Sequence, residues 1–351
     1  MEFHNGPGAP AVMTVLGPVA AEALGRTMCH EHVFFVTPYF APAEDDPTGE
    51  WAEAPITIER LWWLRSHPMN NRHNLRQTDV ELAVAEVGQF KQAGGGTLVD
   101  VSTVGVGPNP SGLVEVSRRT GVHLVAGTGF YIAQSLPEWV HEAPVEQLAA
   151  HMRRELTEGM AGTTARAGLI GELGVTNPPQ PVELRVLRAA ALVQRELDCA
   201  VTIHTGWGAD GARLTARVVE EAGLNPARTA LSHLDNRFSA EVAGYREIAA
   251  RGFYLSLDCF GRECYYRHVD TQCPSDDERI RAVLGLLDAG LARQIMVAQD
   301  ICFRHELVAY GGHGYAHVLR TLFPRLQRRG VDPAALEGLV VANPRRWLTG
   351  G

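Results

Sequence analysis

One unit recurs along the chain: a short apolar run, a Gly-rich or polar loop, then an amphipathic stretch several turns long. The runs are TMCHEHVFF (27–35), GTLVDVSTVGVG (96–107), VHLVAGTGFYI (122–132), AGLIGELGV (167–175), AVTIHTGW (200–207), TALSHLD (229–235), GFYLSLDCFG (252–261) and QIMVAQDICF (294–303). They are nearly continuous in hydrophobicity, as parallel strands covered on both faces require. Between them, segments such as VELAVAEVGQFKQAG (80–94), VELRVLRAAALVQRELD (182–198) and DDERIRAVLGLLDAGL (276–291) carry apolar residues at helical intervals of three and four. Eight such units predict an α/β chain folded as a (β/α)8 TIM barrel. Barrels of this kind commonly run past about 250 residues as one domain. The 351 residues are accordingly read as a single unit, 1–351.

Composition narrows what such a barrel does. Hydrophobic residues at 45% and charged residues at 21% allow a large core and exclude a disordered or fibrous chain. A net charge of −8 without Lys/Arg clusters speaks against a phosphate-backbone binder, so nucleic acid is not an expected partner. The N-terminal stretch has no basic start, holds two glutamates and is broken by Gly and Pro, which does not read as a signal peptide. No run of eighteen apolar residues occurs, so no membrane span is expected. The six cysteines (29, 199, 259, 264, 273 and 302) form no CxxC pair and no framework spacing, which suggests a reduced, cytoplasmic protein.

One stretch interrupts the alternation. Residues 36–78 form a long Pro- and Trp-bearing connection after the first strand. Loops of that length are usually functional or carry structure of their own. It leaves the C-terminal rim, where barrel active sites sit. Two readings stand: a partial lid with a short helix near Ile58–Ser66, or a contact surface such as that of a homodimer.

Chemistry-bearing residues stand at the ends of the runs. His30 and His32 alternate on an extended segment, which puts both imidazoles on one face. His204 in TIHTG and His233 in LSHLD close two further runs, and Glu172 in LIGEL and Asp300 in MVAQD put carboxylates at the same place on theirs. A carboxylate next to an apolar run is costly to bury unless it is paired or binds a cation. Six such residues obeying one topological rule point to a metal site on the rim, and a metal site of this composition points to hydrolysis. The chain's only lysine, Lys91, lies in a helical pattern ahead of its strand, which leaves no lysine for Schiff-base chemistry.

GRTMCHEHVFF, GGGTLVDVSTVGVG, AGTGFY, GLIGELG, IHTG, SHLD, AQDICF, YGGHGYAHVLRTLFPRL and NPRRWL together resemble the landmarks of the phosphotriesterase family of the amidohydrolase superfamily, over essentially the whole chain. LWWLRSHPMNNRHNL and YGGHGYAHV are similar to the phosphotriesterase-related, or resiniferatoxin-binding, branch. The resemblance implies two divalent ions, usually zinc. His30, His32 and Asp300 would hold the more buried one and His204 and His233 the more exposed, with Glu172 and a hydroxide bridging them. Many members bridge with a carboxylated lysine, for which this chain has no residue; Glu172 supplies the same two-oxygen anion. The resemblance also makes Tyr131 a hydrogen-bond donor to the substrate carbonyl or its oxyanion. Trp207, Arg304 and His305 are further pocket residues on this reading. Asp300 would take the proton of the hydroxide and pass it to the leaving group.

The chain departs from the family in two places. Asp258 is followed by Cys259 where phosphotriesterases carry histidine and lactonases arginine, and Gly107-Pro108-Asn109 replaces a common Gly-Arg-Asp turn. The spacing of Cys259, Cys264 and Cys273 matches no zinc motif, leaving thiolate ligation a minor reading. The function expected is hydrolysis of a small ester, lactone or N-acyl amide. A metal-dependent phosphoesterase and a non-catalytic ligand-binding protein are the alternatives.

Overall fold

The computed structural model of the protein describes residues 10–351 apart from 39, 41, 42 and 47. Each of the eight apolar runs contributes one strand: β1 (Arg26–Glu31), β2 (Gly95–Asp100), β3 (His123–Thr128), β4 (Leu169–Gly174), β5 (Val201–His204), β6 (Thr229–Ser232), β7 (Tyr254–Leu257) and β8 (Ile295–Val297). They form one parallel sheet in sequential order. The sheet curls so that the segment after β8 meets β1. Asp300 N donates to His30 O (3.2 Å), and the buried Glu31 carboxylate accepts from Gln299 N (2.8 Å) and Ile301 N (2.9 Å). Closure at this seam therefore rests on one backbone hydrogen bond and a buried side chain where no ladder runs, and the result is the TIM barrel expected from the repeat.

Helices cover the barrel where periodicity placed them: α1 (Val80–Gln92), α2 (Pro110–Thr120), α3 (Val145–Thr157), α4 (Pro181–Leu197), α5 (Gly208–Glu221), α6 (Val242–Ala250) and α7 (Asp276–Asp288). Their starts are coded locally. At α7, Ser275 Oγ accepts from Glu278 N while Glu278 Oε2 accepts from Ser275 N, and three acidic residues in the first turn offset the positive helix end. Its Ile280, Val283 and Leu286 are then fully buried against the barrel. Among the described residues no helix is long and apolar enough to cross a membrane.

The N-terminal ends of the strands are sealed by the C-terminal helix Asn343–Thr349. Trp347, fully buried, donates from Nε1 to the carbonyl of Val201 at the start of β5 (3.2 Å), and Asn343 Nδ2 donates to Ile295 O at the start of β8 (2.6 Å). Removing the indole leaves a large cavity and an unpaired carbonyl. Trp347→Ala should therefore cost about 3–5 kcal/mol in denaturant unfolding, with little effect on chemistry at the opposite rim.

The 36–78 connection is tied at its base, where Phe35–Val36 pairs antiparallel with Arg76–Gln77. Its helical turn covers Ile58–Arg60 and Leu61–Ser66, matching the reading of 58–66. Trp51, Trp63 and His67 stack in series (ring centroids 5.2 and 4.3 Å apart), and Asn71 Nδ2 donates to Trp51 O and Ala54 O. Asn74 fastens the far end to the segment after β8, accepting from His305 N (2.9 Å). The described part of the connection thus carries its own small apolar core of Ala43, Leu61, Trp63 and Leu64.

Candidate metal centre

Strand period and barrel closure bring all six rim residues together. His30 and His32 leave β1 on the same face, and each Nε2 points at Glu172 Oε1 (3.7 and 3.3 Å) and Asp300 Oδ1 (3.5 and 3.4 Å). The other oxygen, Glu172 Oε2, faces His204 Nδ1 (3.3 Å) and His233 Nε2 (3.4 Å), nitrogens only 2.9 Å apart. Glu172 therefore stands between two pairs of histidines with one oxygen towards each. It is held there by close strand contact: Gly171 has φ +113°, and a Cβ on it would lie 2.2 Å from Thr202 O.

Partners behind the histidines fix the rings. His32 Nδ1 lies 2.9 Å from Ser102 Oγ, whose own proton goes to Phe34 O, so the ring donates from Nδ1 and leaves Nε2 to the site. His30 Nδ1 meets Ser232 Oγ (3.0 Å) and Asp258 Oδ2 (3.4 Å). Asp258 Oδ1 accepts from His233 N (2.9 Å) and from His233 Nδ1 (2.8 Å), so one buried carboxylate orients two rings. His233 (φ +61°) and Asp300 (φ +53°) both have left-handed backbone, uncommon away from glycine, which aims their side chains inward.

The donors suit cations. His30 Nε2 and Glu172 Oε2 are buried without a hydrogen-bond partner, and the groups His30/His32/Glu172, His30/His233/Asp300 and Glu172/His204/His233 each bring one ligand atom per residue within 4.8 Å of the others. Imidazole and carboxylate are the ordinary donors of zinc and similar divalent ions.

Charge is finely divided here. Burial disfavours a proton on His32, but hydrogen bonds to Asp300 and Glu172 hold its pKa up at about 10. Burial likewise opposes charge on His233, and Asp258, Asp300 and Glu172 hold it at about 10. His204 is pushed down to about 4 by burial, the pull of the Glu172 carboxylate being outweighed by burial together with the neighbouring His233. Cations bind neutral imidazole, so loading metal-free protein near pH 7 should release about two protons per chain. Affinity should then rise from neutral pH towards pH 10 and fall in acid. Calorimetry in buffers of different ionisation enthalpy counts the protons; release of none would contradict this assignment.

A cavity of about 740 Å³, counting its open mouth, lies over the centre, within the range that holds small molecules. Tyr131 and Trp207 both line it. Tyr131 Oη is 3.2 Å from His204 Nδ1, and burial, with the charges of Glu172 and Asp300, keeps the phenol protonated and able to donate. Phe35 lines the cavity at the end of the first run, and Thr37 and Met69 bring the long connection to the wall. Arg304 and His305 do not reach it: Arg304 lies over the Tyr310 ring and His305 Nδ1 is 3.0 Å from Asn74 Oδ1, while Cys302 and Phe303 fill the wall instead. The three-cysteine reading also separates. Cys264 and Cys273 face each other (Sγ to Sγ 3.5 Å), and Cys259 joins His233 and Asp258. Lys91 is far from this chemistry, donating to Gly121 O on the exposed side of α1.

Sequence reasoning missed Arg262. Its fork joins Asp300 Oδ2 (Nη1, 2.5 Å) to Glu306 (Nε to Oε1, 2.6 Å). Burial would raise the Asp300 pKa, but Arg262 and His233 hold it far below the usual carboxylate range. An arginine in a loop carries no periodicity that would have announced this. Glu31 could have been found, since a carboxylate between His30 and His32 in an otherwise apolar run needs buried partners.

Four histidines and two carboxylates gathered on the C-terminal rim of a parallel barrel are the donor set of a metal-dependent hydrolase. The chain belongs to the phosphotriesterase family, whose family model matches residues 10–348. It is 38% identical over 342 residues to a phosphotriesterase-related protein of Nematostella vectensis, covering 96% of this chain and 97% of that one. It is 37% identical over 343 residues to the N-acetyltaurine hydrolase of Salmo salar, with the same coverage. Among solved structures, a resiniferatoxin-binding protein from Rhodobacter sphaeroides superposes with a TM-score of 0.93 at 39% identity, covering 97% of this chain and 95% of that one.

Proposed function

We propose that the protein hydrolyses a small N-acyl amide with two divalent ions, zinc foremost, one held by His30, His32 and Asp300 and the other by His204 and His233, with Glu172 between them. The observation that carries this reading is the division of Glu172, one oxygen towards each pair of histidines. The amide, over an ester or lactone, is supported by the N-acetyltaurine hydrolase that this chain matches along nearly its whole length. When bound, the ions supply a water acidified towards neutrality and a Lewis acid for the scissile carbonyl.

The chain's own groups do the rest. Tyr131 Oη donates to the carbonyl oxygen as negative charge develops on it. Asp300, ionised because Arg262 faces it, accepts a proton from the attacking water and returns one to the leaving nitrogen. The described residues act as one barrel unit, residues 1–9 of the 1–351 reading lying outside them, with the 36–78 connection covering the rim through Thr37 and Met69 and limiting substrate size. Six free cysteines suit a cytoplasmic protein.

The test is elemental analysis of protein purified without chelator, followed by a panel of N-acyl amides, lactones and phosphoesters. The expected result is a metal-to-chain ratio near two, and amides as the preferred class. Activity in a metal-free preparation would end the reading, as would turnover confined to lactones or phosphoesters.

A further inference from the structure

The four buried arginines differ in what they face. Arg262 is held by Asp300 and Glu306, Arg279 by Asp235, and Arg228 lies 3.7 Å from Asp198. Arg237, 7% exposed, has no carboxylate within 4.0 Å among the described residues. It follows His233 by one turn, in Asp235–Phe238, and lines the cavity beside Trp207, Tyr131 and His233. One nitrogen, Nη2, donates to Thr205 O (2.7 Å), and the guanidinium lies over the Trp207 ring at 4.3 Å, so the group is fixed in place. Nε and Nη1 are buried with no hydrogen-bond partner.

A buried cation with idle donors is costly. Buried polar groups are otherwise nearly always satisfied, so an exception in a cavity wall calls for an explanation. Burial pushes the Arg237 pKa down, against the opposing pull of Asp235 and Asp258, neither of which lies within 4.0 Å of it. A planar fork with free N–H groups matches the paired oxygens of an acid group. The wall around it is largely apolar, with Trp207, Tyr266, Phe303 and Met69. Arg262 also lines the cavity but is paired, so one unpaired cation in such a wall suits a single negative charge on an otherwise small, uncharged molecule.

We infer that Arg237 receives an acid group on the substrate, so that the pocket selects N-acyl compounds whose amine portion ends in a carboxylate or sulfonate. This rests on the amide-hydrolase reading above. The acid supplies the counter-charge that the folded chain withholds, and the anchored tail sets the amide over Glu172 and Asp300.

Two measurements test it. In the first, butyrate and propane-1-sulfonate are titrated into the wild-type protein and Arg237→Met, which keeps the stem against Trp207 but removes the charge. Binding should weaken by about a hundredfold or more in the variant, and Arg237→Lys should restore part of it. The better of the two acids identifies the tail. Equal binding to wild type and Arg237→Met overturns the inference. In the second, the wild-type enzyme is given N-acetyl amides of matched length ending in carboxylate, sulfonate or a neutral carboxamide. A preference for the acids of about a hundredfold in kcat/KM, lost in Arg237→Met mainly through KM, is the expected result. No preference in the wild type overturns the inference without any variant, and so does an equal loss on charged and neutral substrates. Failure of every amide, with acids still bound through Arg237, would refute the amide reading and leave the receptor standing.

Discussion

Replacing Glu172 by Gln is expected to strip at least one cation from the protein and to bring turnover close to background. Gln keeps the size and the position on β4 but loses the charge shared between the two sets of nitrogens. Among the six rim residues only Asp300 would remain as an anion, and its Oδ2 is already committed to Arg262. Removing one partner from a buried ionic group costs about 3–5 kcal/mol, on the order of a hundred- to a thousandfold in affinity. Equilibrium dialysis at fixed free zinc, followed by elemental analysis, reads that loss directly. Glu172→Lys sharpens the test, because carbon dioxide adding to the amine could rebuild a two-oxygen bridge. Partial activity should then appear only when bicarbonate is supplied. The wild type, whose bridge carries its charge from synthesis, should be indifferent to bicarbonate. If wild-type reconstitution required bicarbonate, or if Glu172→Gln kept both ions and full kcat, the centre would have to be redrawn around another anion.

The barrel was legible in the sequence because parallel strands and their helices impose two different periods, and the chain obeys both for eight rounds. The six rim residues were legible for a related reason. A strand that runs apolar and then ends in His, Glu or Asp must deliver that side chain to the rim, whatever the intervening loops do. The ladder itself proved shorter than the apolar runs. QIMVAQDICF yields only Ile295–Val297 as strand, because the backbone leaves extended geometry to set Asp300 at φ +53°. What the sequence did not disclose lies in loops. Arg262 and Arg237 follow β7 and β6, where reach depends on turn geometry and not on period, and only three dimensions show that one is paired and the other is not. Asp258 was visible as an oddity before Cys259, yet its task, holding His30 and His233 from behind, depends on neighbours 25 or more residues away. The helix at 58–66 was found from its own residues, whereas its anchoring through Asn71 and Asn74 was not, since single asparagines leave no pattern.

Asp300→Asn should remove far more turnover than metal. The side chain has two jobs, one for each oxygen: Oδ1 faces His30 and His32 where a cation would sit, and Oδ2, the oxygen left to carry a proton, is shared with Arg262. Asn accepts the left-handed backbone at this position about as readily as Asp, so the fold should survive. Its amide oxygen keeps one neutral ligand atom, so the buried ion should be weakened but retained at moderate free zinc. The lost function is that of accepting and returning a proton, which no neighbour can assume. Arg262 is always charged, Glu306 is held on the far side of that same guanidinium, Glu172 is turned towards the four histidines, and Asp258 is engaged behind His30 and His233. General acid–base groups contribute about 10²–10⁴-fold, and kcat should fall by that amount while metal content stays near the wild-type ratio. Arg262 also holds Asp300 far below the ordinary carboxylate range, so the acid limb of the wild-type rate profile should not show the titration of a free carboxylic acid. Near-normal kcat with both ions bound would leave Asp300 a ligand with no part in proton transfer. Parallel loss of metal and rate would say the same.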